Sequence, residues 1–459
     1  MQGDIKNRIA PPLKLSVSAE TEITPKVIGY LLRENIANMA RYRSLGNYYS
    51  NETAIQRRLL DSDKPNNRIS HAYAKYITKI ATAFFMGRGL RIEAADPAYK
   101  AALEDAMDTT MADSRRFESA KEMSKCGIAY EWLFFDEDGK LRSQTYRADE
   151  MVPVFSQTPD NYLSYVLRPY RISRIDIRRT EEFVEVIGPR DISIYHKEAG
   201  RYWTLVETFT HGFSDVPVII RQNNAEMTGD YEDIIPQIDA YDKSQSDTQN
   251  DLDYFSDAYL VMEGVDDIEA VDDNGDELPP GESAKIMRRN RLLYLPTGCS
   301  AQFITKDSND TGAENHKTRL RNDIFFLSQV PNLTDESFAG NLSGVAIKYK
   351  LFGLEELVIE KESYFTSSEM KKIRLITDYL NTLYSKAWDW KTITLKFDRS
   401  AVANTSEIAS IMNSLRDILS EKTLIGMWPD IEDAAAEVAQ KHKEDAIREN
   451  LDYNDGDDG

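Results

Sequence analysis

Apolar residues recur at helical spacing from Val345 to Trp388, 44 residues without a proline, and this run restricts the architecture more than any other stretch. At 1.5 Å per residue the helix it predicts is about 66 Å long, so it is expected to cross from one packed region to another, with Gly353 as the place for a kink. Just before it lies a polar loop, residues 331–344, Pro-Asn-Leu-Thr-Asp-Glu-Ser-Phe-Ala-Gly-Asn-Leu-Ser-Gly. Pro331 stops an apolar helical run that ends at Val330, and Gly340 and Gly344 loosen the connection. A loop held between two long helices is well placed to touch something.

A chain of 459 residues, 41% hydrophobic and 29% charged, can bury real cores and is expected to fold as two or more packed regions. Lys plus Arg number 56 against 77 Asp plus Glu, a balance of −21. Phosphate binding needs local positive charge, so any nucleic-acid contact has to be local or weak. Cys126 and Cys299 are far apart, and neither a disulfide framework nor a cysteine zinc site follows from them. No stretch approaches the roughly 20 uncharged apolar residues that span a bilayer and the first residues lack an apolar leader, which predicts the cytosol of the producing cell and no membrane partner.

Residues 24–61 read as helices, opened by Thr24 as cap and Pro25 in the first turn. A second helix follows Pro65-Asn66-Asn67-Arg68-Ile69, with Ala72, Tyr76, Ile80, Ala83 and Phe84 on one stripe and a stop at Gly87, and a further one is expected from Pro97 to Gly127. From Ile128 to Ile220 the period becomes two, with short runs at 130–135, 144–154, 163–169, 183–187, 192–196 and 203–209 and a turn at Asp138-Gly139. Together these predict an α+β body with a mostly antiparallel sheet. Residues 233–259 read as a polar helix in which Asp242 to Asp251 are ten successive polar residues. No intrachain core stripe is expected there, which leaves solvent, a channel or copies of the same helix as its neighbours.

Residues 260–310 read as a small α/β insert with strands at 259–262, 292–295 and 302–304 and a hairpin signal at Asn274-Gly275. The returning helix starts with a capping-box pattern, Thr311 to Glu314, and carries Ala313, Leu320, Ile324 and Leu327 on its apolar stripe. A strand at 392–397 and one or two helices between Ser406 and Ala446 follow the long helix, and the acidic end, 447–459, reads as a disordered tail.

The chain lacks both common phosphate-cradle motifs, its five histidines form no paired ligand motif, and its acidic turns lack the spacing of a calcium loop. No cofactor or metal is implied, and the chain reads as no enzyme. A carboxylate pair such as Glu131 with Asp136 would be the only hydrolytic alternative. Cations cluster at Lys285, Arg288, Arg289 and Arg291 in the insert, at Lys317, Arg319 and Arg321 on the returning helix, and at Lys348 and Lys350 past the loop. They read either as solvated faces and salt bridges or as a sparse set of cations toward a polyanion.

Several stretches resemble the portal proteins of tailed double-stranded-DNA bacteriophages, of the long-tailed type. They are Pro65 to Ile77, the Gly87 stop after Phe84-Phe85, the helix carrying Asp239-Ala240-Tyr241-Asp242, and above all Phe338 to Phe352, FAGNLSGVAIKYKLF. The resemblance implies a ring, usually of twelve subunits, at one capsid vertex, assembled in the host cytoplasm and carried in the virion, through which DNA is packaged and ejected without sequence reading. It divides the chain into an N-terminal arm (1–23), a wing (24–232, with a return strand at 391–398), stem helices (233–259 and 311–330), a clip (260–310), a tunnel loop (331–344), a long wing helix (345–390), a short helical crown (399–446) and the tail (447–459). The loop would touch DNA through Asn332, Thr334, Ser337, Asn341 or Ser343, with Arg319, Arg321, Lys348 and Lys350 as channel cations. The clip, with Lys285, Arg288, Arg289 and Arg291, would dock the terminase large subunit and then the head-tail adaptor, and the major capsid and scaffolding proteins would be further partners. A ring-forming head-tail connector without a translocation role is the other reading of the same features.

Overall fold

In the computed structural model the described residues are 12–18, 21–60, 65–174, 179–197, 202–255, 259–263, 300–304, 310–334, 344–397, 405–428, 431 and 434–454. They divide into two compact units, one of residues 1–50, 72–234 and 325–459, the other of residues 51–71 and 235–324. Mixed helix and sheet is the outcome, as the change of period predicts.

The larger unit opens with β1 (Leu15–Val17), α1 (Pro25–Glu34) and α2 (Ile36–Tyr49). Thr24 caps α1 through its side chain, and Pro25 takes the first turn, where a missing N–H costs nothing. Next come α3 (Tyr73–Met86), β2 (Leu90–Glu93), α4 (Pro97–Thr109) and α5 (Ala112–Cys126). The buried stripe of α3 is Ala74, Ile77, Ala81, Phe84 and Phe85, rotated from the expected one: Ala72 and Ala83 are exposed. The single helix expected from Pro97 to Gly127 is two, because Met111 turns left-handed at φ 53° and breaks the ladder. At the end of α5 the chain needs glycine: Gly127 has φ 81°, and a Cβ there would lie 1.9 Å from the Met227 carbonyl oxygen.

Strands follow as β3 (Ile128–Phe135), β4 (Leu141–Tyr146), β5 (Val152–Ser156), β6 (Leu163–Arg174), β7 (Arg179–Ile187), β8 (Asp191–Lys197), β9 (Thr204–Thr210) and β10 (Val218–Gln222). The run expected over 144–154 is two strands, separated by a turn in which Glu150 N–H donates to the Arg147 carbonyl. One sheet has the order β1-β5-β6-β7-β8-β9, antiparallel except for the parallel pair β1 and β5, and a second has the order β10-β3-β4. Leu15, Val17, Ile28, Leu31, Val152, Val154, Leu167 and Val184 form the core between the first sheet and α1.

In the smaller unit, α6 (Ile235–Phe255) leads to β11 (Tyr259–Glu263), which pairs antiparallel with β12 (Ser300–Ile304), and α7 (Asp310–Leu327) returns. Lys285, Arg288, Arg289 and Arg291 and the hairpin signal at Asn274-Gly275 lie outside the described residues. Thr311 sits inside the first turn of α7 rather than ahead of it, and Glu314 accepts from Lys317 at 2.6 Å, so the pair is no capping box. On α7 Ile324 is buried and Leu327 is exposed.

The long helix is α8 (Gly344–Tyr384), 41 residues. It stops short of Trp388 because Ser385 turns left-handed and the Asn381 amide takes both the N–H and the carbonyl of Trp388. β13 (Thr394–Phe397) pairs antiparallel with β2, and α9 (Thr405–Leu415), α10 (Glu421–Ile425) and α11 (Ala434–Asn454) complete the chain. Helix α11 runs into the stretch expected to be a disordered tail, since residues 434–450 are rich in the good helix formers Ala, Glu, Lys and Gln.

Candidate functional site

The loop after α7 is fixed at its start by side chains that take over the work of the ending helix. Ser328 Oγ donates to the Phe325 carbonyl and accepts from Val330 N–H; Gln329 turns left-handed at φ 59°, and Val330 is fully buried. Gly353 of α8 comes against this turn, its Cβ position 3.4 Å from the Gln329 carbonyl oxygen. Tyr76 of α3 then reaches the loop itself: its hydroxyl donates to the Pro331 carbonyl at 3.1 Å and accepts from Leu333 N–H at 3.0 Å. Its ring, and that of Tyr73, meet Phe325 edge to face at 5.7 and 5.8 Å.

From there the loop turns on itself. Asn332 Oδ1 accepts from the backbone N–H of Thr334 at 3.2 Å and from its hydroxyl at 2.7 Å, a local turn of the kind asparagine favours. Both candidate contacts in the described part of the loop are thus engaged with each other, Thr334 exposed and Asn332 half-buried. Ser337, Asn341 and Ser343 lie outside the described residues.

Helix α6 overturns the expectation that its polar run has no intrachain partner. Asp242 and Ser246 are fully buried. With Asn250 they form a ladder along one face: Asp242 accepts from His71 N–H at 2.9 Å, Ser246 from Ile69 N–H at 2.9 Å and Asn250 from Asn67 N–H at 2.8 Å. Steps of four residues on a helix rise about 6 Å, and steps of two on an extended chain advance about 6.7 Å. The two periods nearly match, so helix side chains can take the place of a neighbouring strand. Thr53 donates to the other Asp242 oxygen at 2.6 Å, and Arg58 pairs with Asp247 at 2.5 Å. A polar stripe therefore faces the segment 51–71, which the sequence reading had grouped with the wing.

Arg319 and Arg321 are exposed on α7, while on α8 Lys348 is exposed and Lys350 half-buried. Lys317, beside them in sequence, is buried against Glu314. Lys285, Arg288, Arg289 and Arg291 lie outside the described residues.

Glu131 and Asp136 are no catalytic pair. Asp136 accepts from the N–H groups of Asp138 and Lys140 and from Arg142, closing the β3–β4 turn. Glu131 is buried in an ionic network behind α8: Lys372 at 2.6 Å and Arg221 at 2.5 Å, with Arg221 at 2.6 Å from Glu369 and Arg116 at 2.8 Å from Glu369. Burial opposes ionisation of both carboxyls, yet Arg116, Arg221 and Lys372 outweigh it and hold Glu369 below the usual carboxylate range, as Lys372 and Arg221 do for Glu131. Sequence reasoning missed this network. Its signal was a charge inside each of two apolar strands, Glu131 in IAYEWLFF and Arg221 in VIIRQ. Among the described residues no group of side chains could hold a metal ion, and no helix is long and apolar enough to cross a membrane.

A sequence model of the family described as phage portal protein, SPP1 Gp6-like, matches residues 28–450. The portal protein of Bacillus phage SPP1 is 24% identical over 409 residues, covering 85% of this chain and 78% of its own. That of Clostridium phage phiCD119 is 25% identical over 362 residues, 73% of this chain and 76% of its own. Among solved structures, a chain in the neck of an empty gene transfer agent particle aligns at TM-score 0.43 and 10% identity, over 83% of this chain and 91% of that one.

Proposed function

Since the chain belongs to the SPP1 Gp6-like family of phage portal proteins, and is thus a structural, non-enzymatic part of the virion, we propose that copies of it close into a ring whose channel passes DNA during packaging and ejection. Residues 331–344 are the tunnel loop, α6 and α7 the stem, 260–310 the clip that docks the terminase large subunit and later the head-tail adaptor, and the C-terminal helices the crown. The ring meets the major capsid and scaffolding proteins at the capsid vertex.

The observation that carries this reading is the loop itself. It leaves α7 on a turn braced by Tyr76 and Ser328 and leads into a 41-residue helix whose farther half is fixed by buried ion pairs. A loop without reactive groups, mounted so firmly at its root, suits mechanical contact with a moving polymer. Charge supports the same role: a chain of net −21 holds DNA loosely, and a strongly attractive lining would act as a brake.

Native mass spectrometry and negative-stain imaging of the purified protein are expected to give a closed ring with an open centre, and a monodisperse monomer would sink the proposal. Deleting residues 335–343 should leave ring and particle assembly intact and stop or sharply reduce DNA filling. Normal filling by that variant would remove the loop from the channel's working parts.

A further inference from the structure

Tyr76 has a task that the family reading does not assign. Its hydroxyl uses both its donor and its acceptor capacity on one turn, giving its proton to the Pro331 carbonyl and receiving the Leu333 N–H. Pro331 has no N–H to offer, and the side chain of Asn332 is occupied with Thr334.

The mount behind the hydroxyl is rigid. Tyr76 lies on α3, one turn after Tyr73, and both rings are wedged edge-on against Phe325. Ala74, Ile77 and Ala81 of the same helix are buried. Gly353 of α8 packs on Gln329. The direction in which the chain leaves α7 is therefore set by a phenol on a helix remote in sequence.

We infer that Tyr76 is the positioning residue of the channel loop: it fixes the root, residues 331–334, and with it the direction in which the loop leaves α7. The inference rests on the tunnel-loop reading of residues 331–344. Tyrosine is required for reach as well as chemistry, since a serine or threonine on α3 would be several ångströms short and phenylalanine would keep the packing while losing both hydrogen bonds.

The variant Tyr76→Phe tests it on assembled rings. Ring mass and melting temperature are expected to stay as in the parent, while amide exchange at Leu333 accelerates about tenfold, the equivalent of one hydrogen bond. In a packaging reaction with the cognate terminase, DNA filling should fall several-fold although the loop is complete. Unchanged exchange at Leu333, or faster exchange with normal filling, would overturn the inference. The 335–343 deletion serves as the parallel arm. If the deletion abolishes filling and Tyr76→Phe does not, only the role of Tyr76 fails; if the deletion itself fills normally, the loop reading fails, whatever Tyr76→Phe does to exchange.

Discussion

Two helices of this chain are held by polar contacts, and they are held differently. Helix α8 is secured by charges that never meet solvent: Arg221, Glu131, Glu369 and Lys372 have fully buried side chains. Helix α6 is secured by a ladder of mostly neutral groups against the extended segment 65–71. Buried ion pairs stabilise little on balance, because desolvation offsets most of the attraction, but they punish any misplacement severely. The hydrogen-bond ladder gives a modest contribution per rung. The first device fixes the axial position and rotation of a long helix; the second fastens a polar helix along one face to the segment 65–71.

Arg221→Met is the strongest way to break this contrast. It takes the shared cation from two buried carboxylates, leaving Lys372 on Glu131 and Arg116 on Glu369, and the expected loss is about 3–5 kcal/mol in chemical denaturation; a loss under about 1 kcal/mol would mean that the network does not restrain α8. Acid should act in the same direction. Glu131 and Glu369 are held below the usual carboxylate range, so their contribution is present above about pH 4.5 and is lost as the pH falls through their folded values.

For α6, Asp242→Ala removes the acceptor shared by Thr53 and His71, with an expected cost of about 1–3 kcal/mol. Hydrogen exchange should rise over residues 51–71 and stay unchanged in α8; the reverse pattern would show that the ladder is not what holds the segment.

A smaller effect of opposite sign is expected at Lys371, where burial pushes the ammonium down to about 8 despite Asp215. The folded chain binds that proton more weakly than the unfolded one, so the penalty is complete below pH 8 and fades as pH rises toward 10.5. Lys371→Met should stabilise by about 1–2 kcal/mol at pH 7, after allowance for residual solvent, and by nothing near pH 10.5. Asp113→Asn should change stability by less than about 0.5 kcal/mol, because the Asp113 side chain is 81% exposed and Arg116 keeps Glu369. A larger loss would move the boundary of the network outward.

Much of the fold was legible because local chemistry and period agree with the final structure. Thr24-Pro25 and Asp96-Pro97 start helices as side-chain caps with a following proline should, and Asp138-Gly139 closes the β3–β4 turn with Gly139 at φ 72°. The root of the loop was legible as a loop, but α7 ends at Leu327, ahead of the expected Val330, because Gln329 turns left-handed before Pro331 is reached. Its anchor was not: nothing local marks Tyr76, a half-buried tyrosine on an amphipathic helix, as the partner of residues more than two hundred positions away. The rotated stripe of α3 failed for a related reason, because on a helix apolar on several faces the neighbours decide which face is buried.

The sequence by itself determined where the chain is helical, where it alternates, that a long helix follows a polar loop, and, through motif order, which family it belongs to. These are properties of short windows, set by backbone sterics, capping and hydrophobic period. Only the tertiary structure decided what the polar stripe of α6 faces, which charges are buried behind α8, and what fixes the root of the loop. Each of these depends on groups brought together across long separations, where burial and hydrogen-bond geometry, rather than residue type, decide whether a polar side chain is a solvated surface group or part of the core.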